Sequence, residues 1–206
     1  MIRRSGVLAI TVSGLMLLGP ETVHAHAFSR SGTVDSFLEG TILPLTATTI
    51  LLCLLPLGLL IGLGRKAHAP RAVLAAVVGI VAAIPVAPAT GPAVEPLAVL
   101  VGAVLAAFAA LLPGAPRSVT LALAVIGGFA AGLSALTGHA WGEVPPPIYP
   151  GLLLGGFILV GAAAGAVIRT REYVSEAAGM LAWRVGASWS GAIALIYAAF
   201  EGRAYF

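Results

Sequence analysis

Apolar residues fill six long stretches of the chain, and short polar segments separate them. The stretches lie near residues 42–63, 72–86, 97–112, 119–136, 148–168 and 180–200. A helix needs about 20 mostly apolar residues to cross the hydrocarbon core of a bilayer. The pattern therefore predicts an all-α integral membrane bundle of about six transmembrane helices.

The first stretch is the most informative, because it carries no charge and contains Pro44 and Pro56. Each proline removes a backbone donor and frees a carbonyl one turn earlier. In lipid that carbonyl needs a partner, so we expect this helix to pack inside the bundle. Two interpretations stay open, a proline-kinked structural span and a broken helix that lines a polar path. The path would be lined by three hydroxyl side chains, those of Thr46, Thr48 and Thr49.

The N-terminus has the pattern of a secretory signal. Arg3 and Arg4 precede an apolar stretch, and a small-x-small site ends at Ala25. We therefore predict a signal peptide at 1–25 and a single transmembrane domain at 26–206. Cleavage after Ala27 and an uncleaved signal anchor are the alternatives.

Composition supports the membrane assignment. The 206 residues are 59% hydrophobic and 9% charged, whereas soluble domains carry about 25% charged residues. The lipid bilayer is thus the expected partner, and a net charge of +3 is too small to indicate nucleic acid. The lone Cys53 cannot form an intrachain disulfide and is expected to pack as a small hydrophobe.

The distribution of basic residues predicts orientation. Segments 64–71, 113–118 and 169–179 contain Lys or Arg, whereas segments 88–96 and 138–147 contain neither. Basic loops stay on the cytoplasmic side. This predicts that the mature N-terminus and the C-terminus both lie outside.

The predicted outer side collects side chains that could bind a metal ion. They are His26, Asp35, Glu39, Glu95, His139 and Glu143. Nitrogen ligands suit nickel, copper and zinc, and a mature N-terminal histidine could chelate through its α-amine and imidazole. The alternative is that these are ordinary polar residues of loops.

His139 and Glu143 stand four residues apart, which would place both on one helical face if the fourth helix continued. Gly142 and three following prolines make a loop an equal expectation.

Four pairs of glycines also stand four residues apart and predict close helix contacts. They are Gly58 with Gly62, Gly128 with Gly132, Gly151 with Gly155, and Gly161 with Gly165.

The segment at 186–192 is weakly similar to the serine motif of rhomboid intramembrane proteases. That chemistry needs a histidine base near the serine, and no histidine lies in any predicted span. We therefore predict no enzyme activity and expect Ser188 and Ser190 to bond back to helix carbonyls. Arg184 is expected to extend to the cytoplasmic surface.

As a whole the chain resembles the HupE/UreJ family of hydrogenase and urease accessory membrane proteins. The resemblance is strongest at residues 39–63, at 91–102 (GPAVEPLAVLVG), at 138–145 (GHAWGEVP) and at 183–187 (WRVGA). It implies a cleaved signal, about six helices in the bacterial inner membrane, and nickel or cobalt permeation. A non-transporting accessory or assembly subunit is the alternative, and partner subunits or a homo-oligomer fit both.

The chain departs from the family at most of the metal-ligand positions. Leu43, Thr49 and Ile50 stand where the family's first helix carries His, Asp and His. The resemblance then implies metal capture by His139, Glu143 and neighbouring acids, followed by passage beside the helix that holds Pro44 and Pro56. No resident cofactor is expected, and the cargo would be Ni²⁺ or Co²⁺.

Overall fold

The computed structural model describes residues 32–174 and 176–202. The predicted signal peptide and His26 lie outside the described residues. Within the described ranges the chain is helical and contains no strand. The α-helices are α1 Thr33–Thr46, α2 Thr48–Leu63, α3 Ala69–Ala83, α4 Val94–Leu111, α5 Arg117–Leu136, α6 Ile148–Tyr173 and α7 Glu176–Gly202. Short 3₁₀ turns at Lys66–His68 and Ala87–Ala89 flank α3.

Several helices are long and apolar enough to cross a membrane, which confirms the membrane-bundle class. Four pass as single helices, and the pair α1 and α2 adds a fifth if it forms one span. Their outward faces carry large apolar side chains, such as Leu74, Val104 and Ile126, as a lipid-facing surface requires. Helix α7 covers the predicted sixth stretch, and the count of six spans stays a prediction.

The first predicted span is not one helix. It breaks at Ala47, whose backbone is extended, and α1 and α2 meet at an angle of 70°. Pro44 and Pro56 both lie inside continuous helices instead of at the bend. Thr46 stabilises the end of α1, because its Oγ1 lies 3.3 Å from the Ile42 carbonyl oxygen. The proline-kinked interpretation is therefore wrong, and the broken-helix geometry is the one that forms.

Helix α2 is the centre of the bundle, as expected for a proline-containing helix in lipid. Cys53, Leu54 and Leu57 are fully buried. Pro56 frees the carbonyl of Leu52, and this oxygen lies so close to Gly102 that a methyl group there would come within 2.2 Å of it. The freed carbonyl thus packs directly on the backbone of α4.

Glycine contacts bring three further helix pairs close together. A methyl group on Gly128 would lie 2.0 Å from the Ala76 carbonyl oxygen, so α3 and α5 touch through their backbones. Close packing is likewise confirmed at Gly58 with Gly62 and at Gly151 with Gly155, all of which face neighbouring helices.

The predicted contact at Gly161 and Gly165 is wrong for the described part of the chain, none of which lies within 4 Å of a methyl group at either position. A spacing of four permits close approach, but a neighbouring helix must also be present.

The helices alternate in direction. Gly40 lies against Ile148 and Gly62 against Val167, so α1–α2 runs parallel to α6. Conversely, Arg184 bonds to Ala110 while Gly191 lies near Ala106, so α7 runs antiparallel to α4. One end of the bundle therefore collects the basic segments, and the other collects the break at Ala47 and the loop after α5. Which side of a membrane each end faces stays a prediction.

Candidate functional site

The break in the first span opens a cavity of about 170 Å³, which we call the bend cavity. Its wall contains eight side chains with a hydroxyl, imidazole or carboxylate group. The lining residues are Thr46, Ala47, Thr48, Thr49, Ile50, Glu95, Ser134, Ala135, Thr137, His139 and Tyr197. Four separate parts of the chain thus meet at the break: the α1–α2 junction, α4, the end of α5 with its following loop, and α7.

A hydrogen bond between α5 and α2 fixes the inner wall of the bend cavity. Ser134 donates its hydroxyl to Thr49 Oγ1 at 3.0 Å, and Ser134 is buried. A buried hydroxyl without a partner is costly, so this pair satisfies two polar groups inside an apolar bundle. It also ties the first turn of α2 to the last turn of α5.

A second pair of hydroxyls holds the loop that carries the histidine. Thr90 donates to the Ala87 carbonyl oxygen at 2.6 Å, and its Oγ1 lies 3.3 Å from Thr137 Oγ1. Thr137 directly follows α5 and is buried. The segment after α3 and the end of α5 are thereby fixed to each other beside the cavity.

The imidazole of His139 contacts the backbone of its own loop. Its Nδ1 lies 3.1 Å from the carbonyl oxygen of Thr137. A carbonyl oxygen only accepts hydrogen bonds, so Nδ1 is the donor in this contact. A metal ion binds the nitrogen that holds the lone pair, and a backbone partner on the other nitrogen is the usual way to orient such a ring.

Glu95 supplies the carboxylate of the bend cavity. It lies in the first turn of α4 and is half-buried. A negative charge at a helix N-terminus is stabilised by the helix dipole. His139 and Glu95 therefore place one imidazole and one carboxylate in the wall of a cavity whose other lining residues are hydroxyl-bearing or apolar.

Glu143 lies elsewhere. Its Oε2 accepts a hydrogen bond from the Ala140 N–H at 2.7 Å, which closes the loop on itself. It lines a second cavity of about 340 Å³, the loop cavity, together with Gly32, Thr33, Ser36, Gly142, Pro145 and Pro147. Helix α5 ends at Leu136, so His139 and Glu143 share a loop and not a helical face.

The other predicted ligands are dispersed. Asp35 is exposed in the first turn of α1 and Glu39 is half-buried one turn later, and neither lines the bend cavity. Within residues 32–174 and 176–202, no three His, Cys, Asp or Glu side chains are grouped so that they could hold a metal ion.

Apolar packing closes the bundle beyond the bend cavity. Along α2 the lining ends at Ile50, and the fully buried Cys53, Leu54 and Leu57 follow. The Cys53 Sγ lies 3.4 Å from the Gly127 carbonyl oxygen, a contact between α2 and α5. Polar lining is therefore confined to one end of α2.

Sequence reasoning missed Ser134, Thr137 and Tyr197 as parts of the site. Ser134 had a usable signal, because a serine near the end of an apolar stretch needs a hydrogen-bonding partner. Nothing in the sequence indicates that Tyr197, in the last helix, reaches the break in the first span.

The serines of the protease-like segment are engaged as expected. Ser188 donates to the Arg184 carbonyl oxygen at 3.0 Å and Ser190 to the Ala187 carbonyl oxygen at 2.8 Å. Arg184 itself is half-buried and donates from Nε to the Ala110 carbonyl oxygen at 2.6 Å, at the end of α4. The two serine bonds lie within α7, whereas the Arg184 bond joins α7 to α4.

No protein-family model, curated protein or solved structure matches this chain.

Proposed function

We propose that this chain is a membrane protein of the HupE/UreJ type that captures a divalent transition metal, Ni²⁺ or Co²⁺, in the bend cavity. The observation that carries the proposal is the placement of His139 and Glu95 in the wall of a cavity at a broken helix. Broken helices in membrane proteins commonly form ion and substrate sites, because the irregular backbone lines a cavity there.

The donors suit a late first-row divalent ion. Imidazole nitrogen binds nickel well, and a carboxylate adds a negative charge. His139 Nδ1 contacts the Thr137 carbonyl oxygen, and such a backbone contact commonly orients a metal-binding imidazole. The threonine hydroxyls add only neutral oxygen, so we expect the ion to keep several waters and to bind weakly.

The ligand pair differs from the one that the sequence suggested. His139 stays in the proposal, and Glu95 replaces Glu143 as its partner because Glu143 lines the loop cavity. Asp35 and Glu39 lie on α1 outside the bend cavity and would contribute only to the local negative potential.

A second candidate, an accessory subunit that binds metal but does not conduct it, is favoured by the apolar packing beyond the cavity. Past Ile50 the buried residues Leu54 and Leu57 offer no ligand, and the Cys53 thiol is fully buried and contacts the Gly127 carbonyl oxygen. An ion that moved through this region would lose its water without replacement, at a cost of many kcal/mol. Transport would require these helices to separate.

The proposed orientation places the bend cavity on the outside of a bacterial inner membrane. Its support is the grouping of Arg65, Lys66 and Arg171 around one cavity at the opposite end of the bundle. Basic residues favour the cytoplasmic face.

Nickel accumulation in cells that lack other nickel importers separates the two candidates. The chain, its His139→Ala variant and an empty vector would be compared at equal expression. Accumulation above the vector that His139→Ala abolishes supports transport through the bend cavity. Accumulation equal to the vector in every strain supports the accessory subunit. Robust accumulation that His139→Ala retains would contradict the proposed site.

A further inference from the structure

A third cavity, of about 440 Å³, lies at the opposite end of the bundle from the bend cavity. We call it the basic cavity, because Arg65, Lys66 and Arg171 line it with only one carboxylate, that of Glu172. These residues come from the segment after α2 and from the end of α6. The charges of the lining therefore leave an excess of two positive charges around one opening.

The basic cavity also has an apolar wall. Ile168 and Met180, from α6 and α7, line it beside the charged residues. A hydrated inorganic anion gains no favourable contact from an apolar wall. A phospholipid presents a charged headgroup and an apolar acyl chain together, so it can contact both parts of the lining. Basic pockets between transmembrane helices bind anionic lipid headgroups for this reason.

Two of the cations are held in place by the protein. Lys66 forms an ion pair with Glu172, which links the segment after α2 to α6. Arg171 donates from Nη1 to the carbonyl oxygens of Gly62 and Leu63, both at 3.3 Å. The third cation, Arg65, is exposed, and none of the described residues forms an ion pair with it.

We propose that the basic cavity binds the headgroup of an anionic phospholipid. The phosphate lies between Arg65 and Lys66, with the guanidinium of Arg171 behind them, and one acyl chain follows Ile168 and Met180 along the bundle. This site is independent of the metal proposed at the other end.

The test measures lipid binding to the full chain purified in a zwitterionic detergent, by native mass spectrometry with phosphatidylglycerol and with phosphatidylcholine. Two double variants remove the same charge. Arg65→Gln with Lys66→Gln changes the basic cavity, whereas Arg71→Gln with Arg117→Gln changes two exposed cations that do not line it.

We expect phosphatidylglycerol to bind more tightly than phosphatidylcholine, and the cavity variant to lose roughly fivefold in affinity for each cation removed. The matched variant should bind like the wild type. Equal losses in both double variants would mean diffuse surface charge, and unchanged binding in the cavity variant would also overturn the proposal. If inorganic phosphate displaces the lipid at equal concentration, the site takes free phosphate and the lipid assignment is wrong.

Arg65→Gln alone keeps the test decisive if the double variant does not fold, because Arg65 has no ion pair to lose within the described residues. Its expected loss is roughly fivefold, and wild-type affinity in this variant contradicts the proposal.

Discussion

The two ends of the bundle satisfy their free backbone and polar groups by different means. At the basic end, guanidinium groups donate to carbonyls at helix C-termini: Arg171 to the end of α2, and Arg184 to the end of α4. At the bend end, neutral hydroxyls bond to one another and to carbonyls, as Ser134 does with Thr49. At the basic end, charged side chains thus stabilise the contacts between helices. At the bend end, the imidazole of His139 and the carboxylate of Glu95 line the cavity wall.

The difference shows that the basic residues have a structural role as well as a topological one. The last carbonyls of a helix have no partner within that helix, and in lipid they must be satisfied by protein. A long cationic side chain can reach such a carbonyl from a neighbouring helix. At the bend end, short hydroxyl side chains satisfy the polar groups. Because these side chains are small, they leave room for a cavity of about 170 Å³.

Both ends of the bundle depend on close helix packing between them. The substitution Gly128→Val disrupts this packing, and we expect it to have the largest effect on stability. A methyl group at this position would lie 2.0 Å from the Ala76 carbonyl oxygen. Backbone cannot move aside cheaply, so we expect a loss of about 3 kcal/mol or more. The measurement is the folded fraction of purified protein during titration with a denaturing detergent.

Gly161→Val is the matched control, because no atom of residues 32–174 or 176–202 lies within 4 Å of a methyl group there. It should unfold at the wild-type detergent concentration. Equal destabilisation by both substitutions would contradict the assigned contact between α3 and α5.

The basic end is tested by Arg171→Ala. This change removes the donor to the Gly62 and Leu63 carbonyls. Hydrogen bonds to charged groups contribute about 1.5–3 kcal/mol, so a loss in that range is expected in the same unfolding titration. Arg169→Ala removes an exposed arginine of the same helix and should cost under about 0.5 kcal/mol. If the two variants are equally stable, the hydrogen bonds from Arg171 do not stabilise the contact between α6 and α2.

The bend end is tested by Ser134→Ala, with a smaller expected effect. The change removes a neutral hydrogen bond to Thr49, and such bonds contribute about 1 kcal/mol. Ser188→Ala is the control, since its hydroxyl is exposed and bonds only within α7. A smaller loss for Ser134→Ala than for Ser188→Ala would contradict the link between α5 and α2.

Much of the fold could be predicted from the sequence, because lipid imposes strict rules on length and apolarity. The positions of the apolar helices follow the hydropathy pattern closely. The bend could not be placed, since Pro44 and Pro56 are the visible signals and the chain breaks at Ala47 between them. The sequence does not show which backbone segments pack against one another, so it does not locate the bend.

The candidate site was predicted only in part. His139 was identified as a potential ligand, but its partner was sought nearby at Glu143. The structure places Glu95 in the same cavity wall instead, and the chain separation between the two is too large for any spacing rule to reveal. The same limit explains Gly161 and Gly165, whose spacing carries no information about whether a helix lies opposite.

The central claim is that the bend cavity binds a divalent transition metal through His139 and Glu95. Isothermal titration calorimetry of the purified full chain with Ni²⁺ tests it most directly. The proteins compared are the wild type, His139→Ala, Glu95→Gln and the matched loop variant Glu143→Gln. We predict one saturable site that His139→Ala and Glu95→Gln each weaken by about tenfold or more, about 1.4 kcal/mol, and that Glu143→Gln leaves unchanged. Wild-type affinity in His139→Ala, or a loss confined to Glu143→Gln, would contradict the account.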